Sequence, residues 1–125
     1  MDSIYLSYSG RNCEAVLQVM EGIIARGYAL ACDCVLPAHE DFDLRVTRAM
    51  KAAKAVLAVM TEDAAACPYM ERELRIADEE GLRIIPVLVG TATLPKQYEH
   101  LLWEISRLSD YPTTEEILVV MNRIK

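Results

Sequence analysis

Short, continuously apolar segments alternate along this chain with segments in which apolar residues recur at helical spacing. The clearest apolar segment is 55–60, AVLAVM, in which no side chain is polar. Such a segment is typical of a strand buried on both faces, because a strand with one exposed face would show alternating polar residues. The alternation with amphipathic helices predicts an α/β protein whose parallel sheet is covered by helices on both sides.

The predicted elements follow from the apolar spacing and from turn signals. Strands are predicted at 4–8, 28–35, 55–60 and 83–89, and helices at 12–26, 44–53, 68–80 and 113–124. Residues 98–108 predict a short helix that passes into a short edge strand. Three signals mark helix ends: Gly27 as a C-cap glycine, Pro68 in a first turn, and a capping box from Thr113 to Glu116.

This order of elements predicts one domain over residues 1–125. Right-handed crossovers between parallel strands lead to a flavodoxin-like, doubly wound sheet of about five strands in the order 2-1-3-4-5. Ligands of such folds bind beyond the carboxyl ends of the strands. We therefore expect the functional site among the loops at 7–12, 36–43, 61–67 and 90–96.

The composition excludes several classes of partner and site. Thirteen Lys and Arg against 19 Asp and Glu give a formal net charge of −6, so no basic surface for nucleic acid or membrane is expected. No apolar run approaches the roughly 18 residues of a membrane span, and no basic leader region begins the sequence, so we expect a cytoplasmic location. The four cysteines and two histidines lack zinc-site spacing, so we expect no metal and reduced cysteines.

The predicted helix at 68–80 carries the most informative charged residue. At about 100° per residue, Met70, Leu74 and Ala77 form its buried stripe, and Glu73 lies roughly 60° from the centre of that stripe. Tyr69 lies four residues earlier on the same side. Two interpretations remain open: Glu73 is a structural charge that pairs with a nearby Arg, or it is a functional carboxylate in a cleft.

Phe42 and Arg11 each have two interpretations as well. Phe42, the only Phe, either anchors the start of the following helix or covers a flat ligand with its ring. Arg11, after the first predicted strand, either binds a phosphate or carboxylate group or is a solvated charge at a helix start.

Together these residues resemble a Toll/interleukin-1 receptor (TIR) domain, from Ile4 to Ile124. Five pieces in order carry the resemblance: 4–9 (IYLSYS), Asp33 at the end of the second strand, 51–61 (KAAKAVLAVMT), 67–74 (CPYMEREL) and 84–89 (IIPVLV). The chain departs from the family pattern in the loop 37–41 (PAHED), which lacks the usual Gly, and at Tyr69, where Trp is common. Where some members have Arg directly after Ser-Tyr, this chain has Ser9 and Gly10.

The resemblance implies one of two functions. Some TIR domains only associate with one another in signalling, whereas others cleave NAD⁺ with a helical Glu that corresponds to Glu73. We favour the NAD⁺ glycohydrolase, because an association module has no need for a carboxylate that leans inward beside an aromatic ring. Enzymes similar to nucleoside deoxyribosyltransferases, which share the sheet and also use a Glu on an N-glycosidic bond, are a third alternative.

For an NAD⁺-cleaving member the resemblance also implies the site and the partners. Glu73 is the expected catalytic residue. NAD⁺ is expected as substrate with no further cofactor, and the products are nicotinamide and either ADP-ribose or a cyclic ADP-ribose isomer. Self-association on activation and a role in immune or antiphage signalling are also implied. The expected substrate-binding residues are Tyr8, Ser9, Gly10, Arg11, Phe42 and Tyr69.

Overall fold

The sheet in the computed structural model, which describes residues 2–9, 13–33 and 41–124, has five parallel strands in the order β2-β1-β3-β4-β5. This confirms the predicted fold class and strand order. The strands are β1 (Ser3–Tyr8), β2 (Ala29–Ala31), β3 (Ala53–Met60), β4 (Ile84–Val89) and β5 (Ser106–Leu108).

Within the described ranges, four α-helices connect or follow these strands. They are α1 (Glu14–Ala25), α2 (Phe42–Ala52), α3 (Pro68–Glu79) and α4 (Thr114–Asn122). The 3₁₀ segments Ala64–Ala66 and Lys96–Glu104 complete the connections before α3 and before β5. The predicted short helix and edge strand at 98–108 are thus confirmed in outline, although the helical part is 3₁₀ and kinks at Tyr98.

The core has two halves, one on each face of the sheet. Ile4 and Leu6 of β1 pack on the side of α1 and α4, whereas Tyr5 packs with residues of α2 and α3 on the opposite side. This division follows from the strand geometry, in which successive side chains point to opposite faces. Residues 55–60 of β3 and the whole of β4 are apolar and buried, because both faces of the sheet are covered by helices there.

The predicted helix ends agree with the structure. Gly27 has φ of 83°, and after it the amide of Tyr28 donates to the Ile23 carbonyl at 3.2 Å. Gly adopts this left-handed backbone conformation without strain, because it has no Cβ. Thr113 and Glu116 form the predicted capping box at the start of α4.

Three expectations need correction. Strand β2 covers Ala29–Ala31, within the predicted range 28–35. Helix α2 begins at Phe42, two residues before its predicted start, because Asp41 caps it. The side chain of Asp41 accepts a hydrogen bond from the Leu44 amide at 3.2 Å. Cys32 is disulfide-bonded, so the expectation of reduced cysteines is wrong there, while Cys13 and Cys67 are free.

The predictions for Gly10, Arg11 and residues 34–40 lie outside the described residues. No helix in the described ranges is both long and apolar enough to cross a membrane.

Candidate active site

A cavity of about 260 Å³ opens at the carboxyl end of β1. Asp33, which lies two residues after β2, and the start of α3 complete its walls. This is the edge of the sheet at which the fold predicts a ligand site. Among the described residues, its walls are formed by Leu6, Tyr8, Ser9, Asp33, Cys67, Tyr69 and Glu73.

Glu73 is the one charged residue of α3 that is buried, with 5% of its surface exposed. Met70, Leu74 and Ala77 form the buried face of α3 and pack against the sheet. Glu73 lies at the edge of this buried face, so its side chain points inward. The hydroxyl of Tyr5 donates to Oε2, and the hydroxyl of Ser7 donates to Oε1 at 3.0 Å. Within the described part of the chain Glu73 makes no ion pair, which disfavours the structural interpretation of this carboxylate.

Burial raises the pKa of Glu73 from its ordinary value to about 7. The two hydroxyl donors lower the pKa because they favour the charged carboxylate. The nearby negative charge of Asp33 raises it further. Burial and the adjacent Glu73 carboxylate also raise the pKa of Tyr5, so its phenol keeps its proton and remains a donor. The site therefore holds a carboxyl group that changes charge near neutral pH.

Tyr69 is the aromatic side chain best placed beside this carboxylate. It lies one turn before Glu73 on α3, lines the cavity and is 61% exposed. The Phe42 ring lies with its centroid 6.1 Å from that of Tyr69 but is not among the described residues that line the cavity. The guanidinium groups of Arg72 and Arg45 lie 4.3 Å and 5.5 Å from the Phe42 centroid. The rings of Phe42 and Tyr69 are tilted by 56° to each other, and contact of the Phe42 ring with a ligand stays a prediction.

The remaining described candidates, Tyr8 and Ser9, lie at the end of β1. Both line the cavity, and Tyr8 is partly buried against the core beneath α1. The hydroxyl of Ser9 accepts from the Thr61 amide at 2.8 Å and lies 3.0 Å from the Thr61 hydroxyl. Ser9 therefore ties β1 to the end of β3 as well as bordering the cavity.

The structure adds five residues that are not among the predicted site residues: Tyr5, Leu6, Ser7, Asp33 and Cys67. Asp33 is held by Arg45, whose Nη2 lies 2.7 Å from Oδ1. Ser7 had a sequence signal, because it is a polar residue within an otherwise apolar strand. Tyr5 had none, since Tyr is common in strands and its hydrogen-bond partner lies 68 residues away. No cluster of three metal-ligating side chains occurs among the described residues.

A family model described as TIR domain matches residues 4–116. No curated protein matches the sequence.

Three of the solved structures that share the fold contain TIR domains. The TIR domain of the Toll-related receptor TRR-2 from Hydra magnipapillata has 16% identity and a TM-score of 0.69, over 87% of this chain and 84% of that one. A metazoan TIR-STING receptor from C. gigas has 16% identity and a TM-score of 0.71, over 98% of this chain and 40% of that one. The TIR domains of the activated Roq1 resistosome, which recognises the pathogen effector XopQ, have 15% identity and a TM-score of 0.60, over 98% of this chain and 70% of that one. At these identities the likeness establishes the fold.

Proposed function

The chain belongs to the TIR domain family, and from this premise we propose that it is an NAD⁺ glycohydrolase. It cleaves the bond between nicotinamide and ribose and releases nicotinamide together with ADP-ribose or a cyclic ADP-ribose isomer. The observation that carries the proposal is the buried carboxylate of Glu73 on the wall of a cavity at the carboxyl end of the sheet.

The chemistry of this bond suits a carboxylate without a general acid. Nicotinamide in NAD⁺ is a cationic leaving group, so it departs as a neutral molecule with the bonding electron pair. The ribose is left with positive charge spread over C1′ and the ring oxygen, as in other glycosidic cleavages. Water then adds to C1′ and loses a proton to give ADP-ribose, or a nucleophilic atom of the same molecule adds to give the cyclic isomer. The protein has to stabilise the positive charge and hold the ribose hydroxyls.

Glu73 has the environment for both tasks. A fixed negative charge in a site shielded from water interacts more strongly with developing positive charge than it would in solvent. Each carboxylate oxygen has two lone-pair sites, and the donors Tyr5 and Ser7 occupy one on each oxygen. The second site on each oxygen is then available to a ribose hydroxyl. Because the pKa of Glu73 is about 7, the catalytic charge is present mainly in neutral and alkaline solution.

Tyr69 supplies the grip on the nicotinamide ring in this proposal. A cationic aromatic ring stacks favourably on an electron-rich aromatic face, at about 0.5–2 kcal/mol. Tyr69 is exposed, lies beside Glu73 and borders the cavity, whereas the Phe42 ring already lies against two guanidinium groups. We expect Tyr8, Ser9, Gly10 and Arg11 to contribute to the binding of the rest of the dinucleotide.

The alternative is a non-catalytic module that associates with other TIR domains, and one observation favours it. Trp103 is 90% exposed, and the neighbouring Leu102 is 60% exposed. Adjacent large apolar side chains in solvent are a feature of association surfaces. The two functions are compatible, because self-association is also expected of the enzyme, but only the enzyme releases nicotinamide.

The decisive experiment compares the parent chain with Glu73→Gln. Each protein, at high concentration and with a crowding agent, is incubated with NAD⁺. Nicotinamide release is followed by chromatography. Glu71→Gln is the matched control, since Glu71 is an exposed carboxylate on the same helix. We expect Glu73→Gln to lose about 100-fold or more in rate, as expected for loss of a group that stabilises transition-state charge, and Glu71→Gln to match the parent.

Two results would contradict the proposal in different ways. A parent chain that stays inert even when crowded supports the association module. A Glu73→Gln variant as active as the parent removes Glu73 from the mechanism while leaving the reaction class in place.

A further inference from the structure

Both oxygens of the Glu73 carboxylate are held by side chains of one strand. Tyr5 donates to Oε2, and Ser7 donates to Oε1 at 3.0 Å. Residues two apart on a strand point to the same face, so β1 presents the two hydroxyls side by side toward α3. Tyr5 and Ser7 are fully buried, and Glu73 is nearly so. This burial keeps solvent from competing for the two hydrogen bonds.

This arrangement does more than pair buried polar atoms. The terminal torsion of a Glu side chain is broad, so a single hydrogen bond leaves the plane of the carboxylate loosely defined. Donors on separate oxygens define that plane, and here both donors belong to β1, while Glu73 also lines the cavity and they do not. Tyr at position 5 is not needed for packing alone, because a Phe would fill the same apolar space without introducing a buried hydroxyl.

We infer that Tyr5 and Ser7 are positioning residues for the cleavage reaction: they hold the Glu73 carboxylate in the orientation that directs its remaining lone pairs to the ribose. The inference rests on the proposed function. Neither hydroxyl contacts the substrate, and both act through Glu73. Their effect is therefore on the rate of the chemical step rather than on substrate binding.

The same hydrogen bonds have a second, measurable consequence. A hydroxyl that donates to a carboxylate favours its charged form, so the contacts of Tyr5 and Ser7 lower the pKa of Glu73 against the larger effect of burial. Removal of either donor should raise the pKa of Glu73. This change can be observed in the substrate-free protein, independently of any activity.

The experiment uses Tyr5→Phe and Ser7→Ala in the full chain, each with a matched control. Tyr98→Phe also removes a buried hydroxyl from the same half of the core, and Ser106→Ala removes a buried hydroxyl from β5. Neither control hydroxyl has a hydrogen-bond partner within the described part of the chain. The readouts are kcat and KM for nicotinamide release, and titration of the Glu73 carboxyl by ¹³C NMR, assigned by its absence from Glu73→Gln.

We expect Tyr5→Phe to lower kcat by about 10- to 100-fold, the range that corresponds to one hydrogen bond to a charged group, with KM changed by less than about threefold. Ser7→Ala should act in the same direction. In both variants the Glu73 carboxyl should titrate at higher pH than in the parent, and the pH dependence of kcat/KM should move with it. Tyr98→Phe and Ser106→Ala should match the parent in all three measurements.

The outcomes separate the two claims. If the parent is active and both variants keep kcat within about twofold, the positioning role is wrong and the proposed function stands. If kcat falls but Glu73 titrates at an unchanged pH, the two hydroxyls act through protein stability and the inference is again wrong. If the parent releases no nicotinamide, the proposed function fails and the positioning role fails with it, whatever the titration shows.

Discussion

Replacement of Glu73 by Gln should stabilise the fold in alkaline solution even though it removes the proposed catalytic group. Gln has nearly the same shape as Glu, and its amide can accept from one hydroxyl and donate to the other, so the contacts with Tyr5 and Ser7 are kept. What the substitution removes is an ionisable group that is 5% exposed and has no ion-pair partner among the described residues.

The magnitude follows from the pKa of Glu73, which burial raises from 4.5 to about 7 in the folded protein. Between these two values the folded state binds more protons than the unfolded state, so the free energy of unfolding falls as the pH rises. Each factor of ten in the protonation equilibrium corresponds to about 1.4 kcal/mol, so ionisation of Glu73 destabilises the fold by roughly 3 kcal/mol well above pH 7. About 2 kcal/mol of this change falls between about pH 5.5 and about pH 8.5.

The assay is urea denaturation followed by circular dichroism at these two pH values, both of which avoid precipitation near the sequence pI of about 4.9. The free energy of unfolding of Glu73→Gln minus that of the parent should increase by about 2 kcal/mol from the lower to the higher pH. Glu71→Gln, which removes an exposed carboxylate, should differ from the parent by less than about 0.5 kcal/mol at both. A Glu73→Gln difference that is the same at both pH values would refute the reasoning.

Three further predictions concern packing, capping and the aromatic pair. Gly22→Ala should lower the free energy of unfolding by about 1–3 kcal/mol in urea titrations, because the new Cβ would lie 2.5 Å from Cγ2 of Ile117. This overlap outweighs the better helix propensity of Ala, and a more stable variant would contradict the prediction. Thr113→Ala should lower the same quantity by about 1 kcal/mol through loss of the cap that accepts from the Glu116 amide at 3.2 Å, and an unchanged denaturation midpoint would count against the cap. Phe42→Ala should slow nicotinamide release while the far-ultraviolet circular dichroism spectrum is kept; a loss of that spectrum would instead assign Phe42 to anchoring α2.

The elements with strong local signals could be predicted from the sequence. The apolar segment of β3, the proline at the start of α3 and the capping box of α4 each depend on neighbouring residues only, and all three lie where the sequence predicts them. Helix α2 starts two residues before the predicted position, because Asp41 is its N-cap and not part of the polar loop that the sequence predicts there.

The site could be predicted only in part, because most of it depends on contacts between distant segments. The inward tilt of Glu73 follows from helical geometry, and the structure places it in a cavity wall beside Tyr69. The hydrogen bonds from Tyr5 and Ser7 join residues 68 and 66 positions apart, and no periodicity of the sequence reports such pairs. The same limit applies to Asp33, whose place in the wall depends on where β2 ends relative to α3.

The central claim is that the ionised Glu73 carboxylate drives NAD⁺ cleavage, and the pH dependence of kcat/KM for nicotinamide release tests it most directly. This ratio reports ionisations of the free enzyme, so it should rise as the pH increases through about 7 and level off above, in step with the carboxyl of Glu73 losing its proton. In Glu73→Gln the residual rate should lack this step. A parent profile without a rise near neutral pH, or the same rise in Glu73→Gln, would contradict the claim.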